Sequence, residues 1–121
     1  MISYDGLKPE QSIWISKGGE RYFGPGVERL LDGVKRTGSL SAAAREMNMS
    51  YTKAWRITKR SEKLSGCKLL ESKAGGARGG GAQLTKEGEQ LLSDYVAFRE
   101  EAAGEIRRVF GKYFCDTQDN K

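Results

Sequence analysis

The sequence has no histidine, and its two cysteines, Cys67 and Cys115, lie far apart. There is therefore no imidazole for a catalytic triad or a neutral-pH general base, and none of the usual zinc-ligand spacings. Both cysteines read as structural thiols. Cys115, near the polar tail, is the more open to reaction, but nothing nearby tunes it. No carboxylate pair shares a plausible pocket, and no phosphate loop ends in Gly-Lys-Ser/Thr. An enzyme is not expected, nor is a metal or cofactor. No apolar run approaches the roughly 20 residues that span a bilayer. The start, MISYDGLKPEQ, lacks the basic-then-apolar layout of a secretory signal. A cytoplasmic protein without membrane contact is the expectation.

What is present is 121 residues, 37% hydrophobic and 31% charged, which suits one soluble domain with one real core and a large wet surface. The net charge of +5 is unevenly placed. Residues 50–86 carry nine basic side chains against two acids, Glu62 and Glu71, and the remainder is slightly acidic. One basic block on an otherwise acidic chain is an electrostatic footprint for a polyanion. A solvated surface of ordinary lysines is the alternative reading of the charge alone.

Residues 12–23, SIWISKGGERYF, read as a β-hairpin turning at Lys17-Gly18-Gly19-Glu20. Gly24-Pro25-Gly26 breaks it. Val27, Leu30, Leu31 and Val34 share one face of a first helix that ends at Gly38. Ser39 or Ser41 caps a second helix, with its body at Ala42–Met47, and Asn48 suits the left-handed turn after it. Ser50 caps a third helix to about Leu64, which Gly66 stops. Leu69–Ser72 and Ala82–Leu84 are short strand candidates. Thr85 caps a long last helix whose apolar residues Leu91, Tyr95, Phe98, Ala102, Ile106, Val109 and Tyr113 follow spacings of three and four, close to a heptad seam. Such a helix exceeds what a small domain needs to cover itself, and pairing with a second copy explains the excess better than packing on its own domain does. The tail, 115–121, looks disordered.

Between the two strand candidates lies AGGARGGGA, residues 74–82. A linker and a nucleotide loop are the competing readings. The core-like Leu69, Leu70 and Leu84 weaken the first, and the absent GxGxxG spacing weakens the second. Two closely joined helices, the second of them basic, followed by a hairpin, make a winged helix-turn-helix. The glycine stretch is then the wing tip, where Arg78 can enter a minor groove. The architecture is mainly α with small β-hairpins, a single domain over 1–121. It comprises an N-terminal hairpin (12–23), three helices (26–66), the wing (68–84), and a long C-terminal dimerisation helix (85–114).

TGSLSAAAREMNMSYTKAW, GCKLLESKAGGARGGGAQLTKEGEQLL and WISKGGERYFGPGVERLLDGVKRTGSL together resemble the ModE family of molybdate-responsive bacterial regulators. More distantly, they resemble LysR-type regulators. The resemblance covers roughly residues 12–100. It implies a homodimeric winged helix-turn-helix that binds double-stranded DNA, with the long helix and N-terminal elements making the dimer. Members of the best-known type carry a C-terminal oxyanion-binding domain, for which these 121 residues leave no room. Molybdate or tungstate sensing is therefore not expected of this chain. Thr58 and Ser61 stand where the family usually has inward-facing apolar residues. Either the core there is thinner, or the helix is rotated so that Ile57 packs instead.

The third helix would lie in the major groove with Ser50, Tyr51, Thr52, Lys53 and Arg56 nearest the bases. Arg56 suits a bidentate guanine contact, or phosphate alone. Lys59 and Arg60 suit phosphates, and Lys63 suits solvent. Ser39 and Ser41 either donate to a phosphate or only cap their helix. Lys73 and Arg78 are the wing's contacts. Trp55 reads as core, tying the third helix to the first, and Ala54 as facing the second. A sequence-specific transcriptional regulator is the leading expectation. A protein-interaction module and a sequence-independent DNA binder are the alternatives.

Overall fold

The computed structural model describes residues 1–73 and 81–115. In chain order the elements are β1 (Ile15–Lys17), β2 (Glu20–Phe23), α1 (Pro25–Thr37), α2 (Leu40–Glu46), α3 (Tyr51–Ser65), β3 (Leu70–Lys73), β4 (Gly81–Leu84) and α4 (Lys86–Tyr113). Both sheets are antiparallel hairpins. β1 and β2 turn through Gly18 and Gly19, with φ of 59° and 82°. Positive φ at both central residues matches the right-handed twist of the strands, which is why two glycines stand there. In β3–β4, Leu70 faces Leu84 and Lys73 faces Gly81. Most of the glycine stretch, including Arg78 and the expected wing tip, lies outside the described residues.

Each helix begins and ends on the local chemistry expected of it. Pro25 opens α1 two residues ahead of the expected Val27, because proline lacks only an N–H that the first turn leaves unpaired. Gly38 closes α1 in the left-handed conformation. Ser39 caps α2 by accepting from the Ala42 N–H, so α2 begins at Leu40. Asn48 takes φ of 55° in the turn, and Ser50 caps α3 by accepting from the Lys53 N–H. Thr85 caps α4 through the Gly88 N–H while its own hydroxyl donates to the Lys68 carbonyl.

The core is Phe23, Leu30, Leu31, Val34, Ala43, Ala44, Ala54, Leu84, Leu92 and Tyr95, with Leu69 also buried. α1 sits at its centre. Two ion pairs fix α4 antiparallel along α1: Lys35 to Glu89 at 3.0 Å, and Arg99 to Glu28 at 2.8 Å. At 1.5 Å per residue α1 is about 20 Å long and α4 about 42 Å. The half of α4 beyond Arg99 therefore outruns α1. This splits the expected seam. Tyr95 is 1% exposed, packs its ring against Phe23 at 4.9 Å between centroids and a 44° tilt, and donates its hydroxyl to the Ile13 carbonyl. Leu91 packs against the same core. These two belong to their own domain and not to an outward seam. The reason is that Phe23 and the Ile13 carbonyl take up Tyr95 and the same core takes up Leu91. Phe98, Val109 and Tyr113 are exposed, and Ala102 and Ile106 half-buried.

α3 buries a stripe of Ala54, Thr58, Ser61 and Glu62. Its polar members are all bonded. Thr58 donates to the Ala54 carbonyl and Ser61 to the Tyr22 carbonyl. Ile57 is half-buried beside them, so both of the alternatives left open for this helix hold in part. Glu62 accepts from the Leu69 N–H at 2.8 Å, from the Leu70 N–H at 3.2 Å and from Lys59 at 3.1 Å. Burial alone raises its pKa. The two amides and the ammonium outweigh that and hold it below the ordinary carboxylate value.

Two outcomes follow from this packing. A methyl group on Gly33 would lie 2.6 Å from the Ala43 Cβ and 3.1 Å from its Cα. Gly33→Ala should therefore destabilise by about 1–3 kcal/mol in urea unfolding, although alanine is the better helix former by about 1 kcal/mol. Because the Glu62 pKa is depressed on folding, its contribution is complete above the unfolded-chain value of about 4.3 and fades as pH falls through the folded one. Glu62→Gln should lose about 1–3 kcal/mol at pH 7, and the two proteins should converge in stability as pH falls through the folded-state value of Glu62.

Candidate nucleic-acid interface

Fifteen residues of α3 carry five cations, and the only acid among them, Glu62, is buried. With about 100° between successive residues, the buried stripe leaves Thr52, Arg56 and Lys63 on the opposite face. Lys53 and Arg60 lie on one side of that face and Lys59 on the other. Thr52, Lys53, Arg56, Arg60 and Lys63 are exposed, and none is in an ion pair among the described residues. Tyr51 is also exposed, at the start of the helix. The outer face is thus an uncompensated cationic ridge. Ser50 is occupied as the cap of α3, yet its residue is exposed.

Two elements flank this ridge. On one side Ser61 and Lys17 tie α3 to the N-terminal hairpin, the lysine donating to the Leu64 carbonyl at 2.8 Å. On the other side the Glu62 carboxylate holds the start of β3. β4 leans in turn on the turn after α1, where the Ala82 N–H donates to the Gly38 carbonyl at 2.9 Å. The β3–β4 hairpin therefore projects beside α3 from two anchors, and Lys73 stands exposed at the end of β3. Ser39 is half-buried and engaged in capping α2; Ser41 is exposed one turn into the same helix end.

Trp55 corrects the sequence reading. It is 47% exposed and lies in an open cleft between α3 and β3–β4, not in the core. The Lys59 ammonium sits 5.5 Å from its ring centroid. Trp55 stands at the edge of the buried stripe, seven residues before Glu62, where the side facing it is the cleft beside β3–β4 and not the core, whose inward positions are held by Ala54 and Thr58. Glu62 is the residue that sequence reasoning missed. Its signal is that of a lone acid in a basic helix, spaced four and eight residues after Thr58 and Ala54 on the buried stripe.

The sequence model of the bacterial regulatory helix-turn-helix proteins of the lysR family matches residues 29–89, half of the chain. The molybdenum-pterin-binding protein MopB of Rhodobacter capsulatus is 45% identical over 74 residues, which cover 60% of this chain and 27% of MopB. The transcriptional regulator ModE of Haemophilus influenzae is 38% identical over 89 residues, covering 74% of this chain and 32% of ModE. The chain spans about a third or less of the length of these curated relatives. The crystal structure of the CbnR DNA-binding domain in complex with DNA matches with a TM-score of 0.56 and 26% identity, over 71% of this chain and 93% of that one. Among the described residues no helix is long and apolar enough to cross a membrane. On the match across residues 29–89 and the winged arrangement of α2, α3 and β3–β4, the chain belongs to the lysR family of bacterial regulatory helix-turn-helix proteins, in its ModE-like branch.

Proposed function

We propose that this chain is the DNA-reading part of a homodimeric, sequence-specific transcriptional regulator without catalytic activity. The observation that carries this reading is the outer face of α3, where cations stand with no acid among them and a hairpin projects alongside. α3 enters the major groove of double-stranded DNA. Tyr51, Thr52, Lys53 and Arg56 meet base edges, while Lys59, Arg60 and Lys73 meet phosphates. Ser41, and Arg78 in the wing, add contacts to the backbone and the minor groove. Molybdenum enters only through the names of the relatives, and we assign no oxyanion-binding role to the described residues.

The dimer forms through the overrun of α4. Pro9, Ile106, Val109, Phe110, Tyr113 and Phe114 line one apolar recess of about 380 Å³. Val109 and Tyr113 are exposed large apolar side chains on that half of the helix, and Phe98 is exposed just before it. A second copy covers them by two-fold pairing, and the two α3 helices then face half-sites one helical turn or a multiple apart.

Three substitutions test these roles. Arg56→Ala should narrow the affinity gap between a selected site and a scrambled duplex by about tenfold or more, the worth of one bidentate base contact. Lys73→Ala should weaken both duplexes alike and lower the slope of log affinity against log salt by about 0.9, one phosphate's share. Val109→Asp should shift sedimentation velocity from dimer to monomer without loss of helical signal. It should also weaken binding to a two-half-site duplex roughly a hundredfold, as paired engagement is lost. A dimer that survives Val109→Asp would place the interface elsewhere.

A further inference from the structure

Trp55 is the largest side chain of α3, and the core does not use it. It lines a cleft of about 250 Å³ with Tyr51, Lys59, Lys68 and Ser72. Its indole N–H has no hydrogen-bond partner among the described residues. The acids beside the cleft are already engaged. Glu62 accepts from two amides and Lys59, and Glu71 accepts from the Gln83 amide at 2.9 Å. A half-exposed tryptophan with an open donor, next to two ammonium groups, is a composition suited to binding and not to solvent.

The position of the cleft says what it binds. Trp55 is about 100° around α3 from Arg56. When Arg56 points at the floor of the major groove, Trp55 points at the groove wall on the wing side. That wall is a sugar–phosphate strand. It separates the major groove under α3 from the minor groove under the β3–β4 hairpin, so it must cross between the two elements. We propose that the cleft between α3 and β3–β4 is a binding site for the deoxyribose-phosphate backbone of one DNA strand. Trp55 lays its ring against a deoxyribose and donates its N–H to a phosphate, and Lys68, the cleft's lysine outside any ion pair among the described residues, neutralises the charge. This rests on the reading that α3 enters the major groove, and makes Trp55 a DNA contact outside the set read from the sequence.

The chain has two tryptophans, Trp14 and Trp55, so Trp14→Phe leaves Trp55 as the sole indole reporter. The full chain carrying Trp14→Phe is titrated with a random-sequence duplex of about 30 bp, long enough for two half-sites. Low salt is used, so that sequence-independent binding is strong. Anisotropy of a labelled duplex reports binding, and tryptophan emission with the unlabelled duplex reports the cleft. The expected result is quenching of Trp55 emission in step with the anisotropy rise. Trp55→Phe, which retains only Trp14, should give no such change. Trp55→Ala should keep the thermal midpoint and bind about tenfold more weakly, the scale of one aromatic contact, whereas Lys68→Ala should also lower the salt slope by about 0.9. An anisotropy rise with unchanged Trp55 emission would overturn the cleft site and leave the DNA-binding reading intact. No anisotropy rise at all would remove both.

Discussion

The buried carboxylate of Glu62 is the contact on which the interface depends. It stands three residues before the end of α3 and takes the N–H groups of Leu69 and of Leu70, the first residue of β3, so one side chain sets where the wing leaves the recognition helix. An ionised group so enclosed is costly unless it is paired and hydrogen-bonded. Here Lys59 pairs with it and two amides donate to it. The same chemistry turns the only negative charge of α3 inward, which leaves the outer face wholly cationic. Thr85 completes the arrangement from the other side. It binds the Lys68 carbonyl, and its own N–H donates to the Leu69 carbonyl. The start of β3, the end of β4 and the first turn of α4 are therefore one hydrogen-bonded knot at the foot of α3.

Small residues set the distances inside this frame. Gly33 lies against Ala43, and Gly88 against the Leu69 backbone, with no room for a methyl group at either place. Ala54, Thr58 and Ser61 let α3 approach the core closely, and their hydroxyls close on carbonyls instead of leaving donors buried. The consequence is a thin inner face. The bulky side chains of α3, Tyr51 and Trp55, are displaced to its flank, where they line the cleft beside the hairpin.

That thin face also explains what is legible in the sequence and what is not. The caps Ser39, Ser50 and Thr85, the closing Gly38 and Gly66, and the Gly18-Gly19 turn each encode a boundary through a single local interaction, and the elements form where those residues stand. Trp55 misleads because size is a poor guide when the buried stripe consists of Ala, Thr, Ser and Glu. The heptad-like run of α4 misleads in its first half for a different reason. Spacings of three and four mark a helix face but not what covers it, and the core around Phe23 already takes in Leu91 and Tyr95. Periodicity places Glu62 on the buried stripe but does not reveal what it binds, since its partners are backbone groups seven and eight residues on.

The central claim is that the cationic face of α3 reads DNA sequence, twice per dimer. The most direct measurement is selection of bound fragments from a random-sequence duplex library by the full chain, over several rounds at physiological salt. The expected result is a convergent motif with two inverted half-sites whose centres lie one helical turn or a multiple apart. Bound fragments that share no sequence, or a library that is not retained at all, would contradict it.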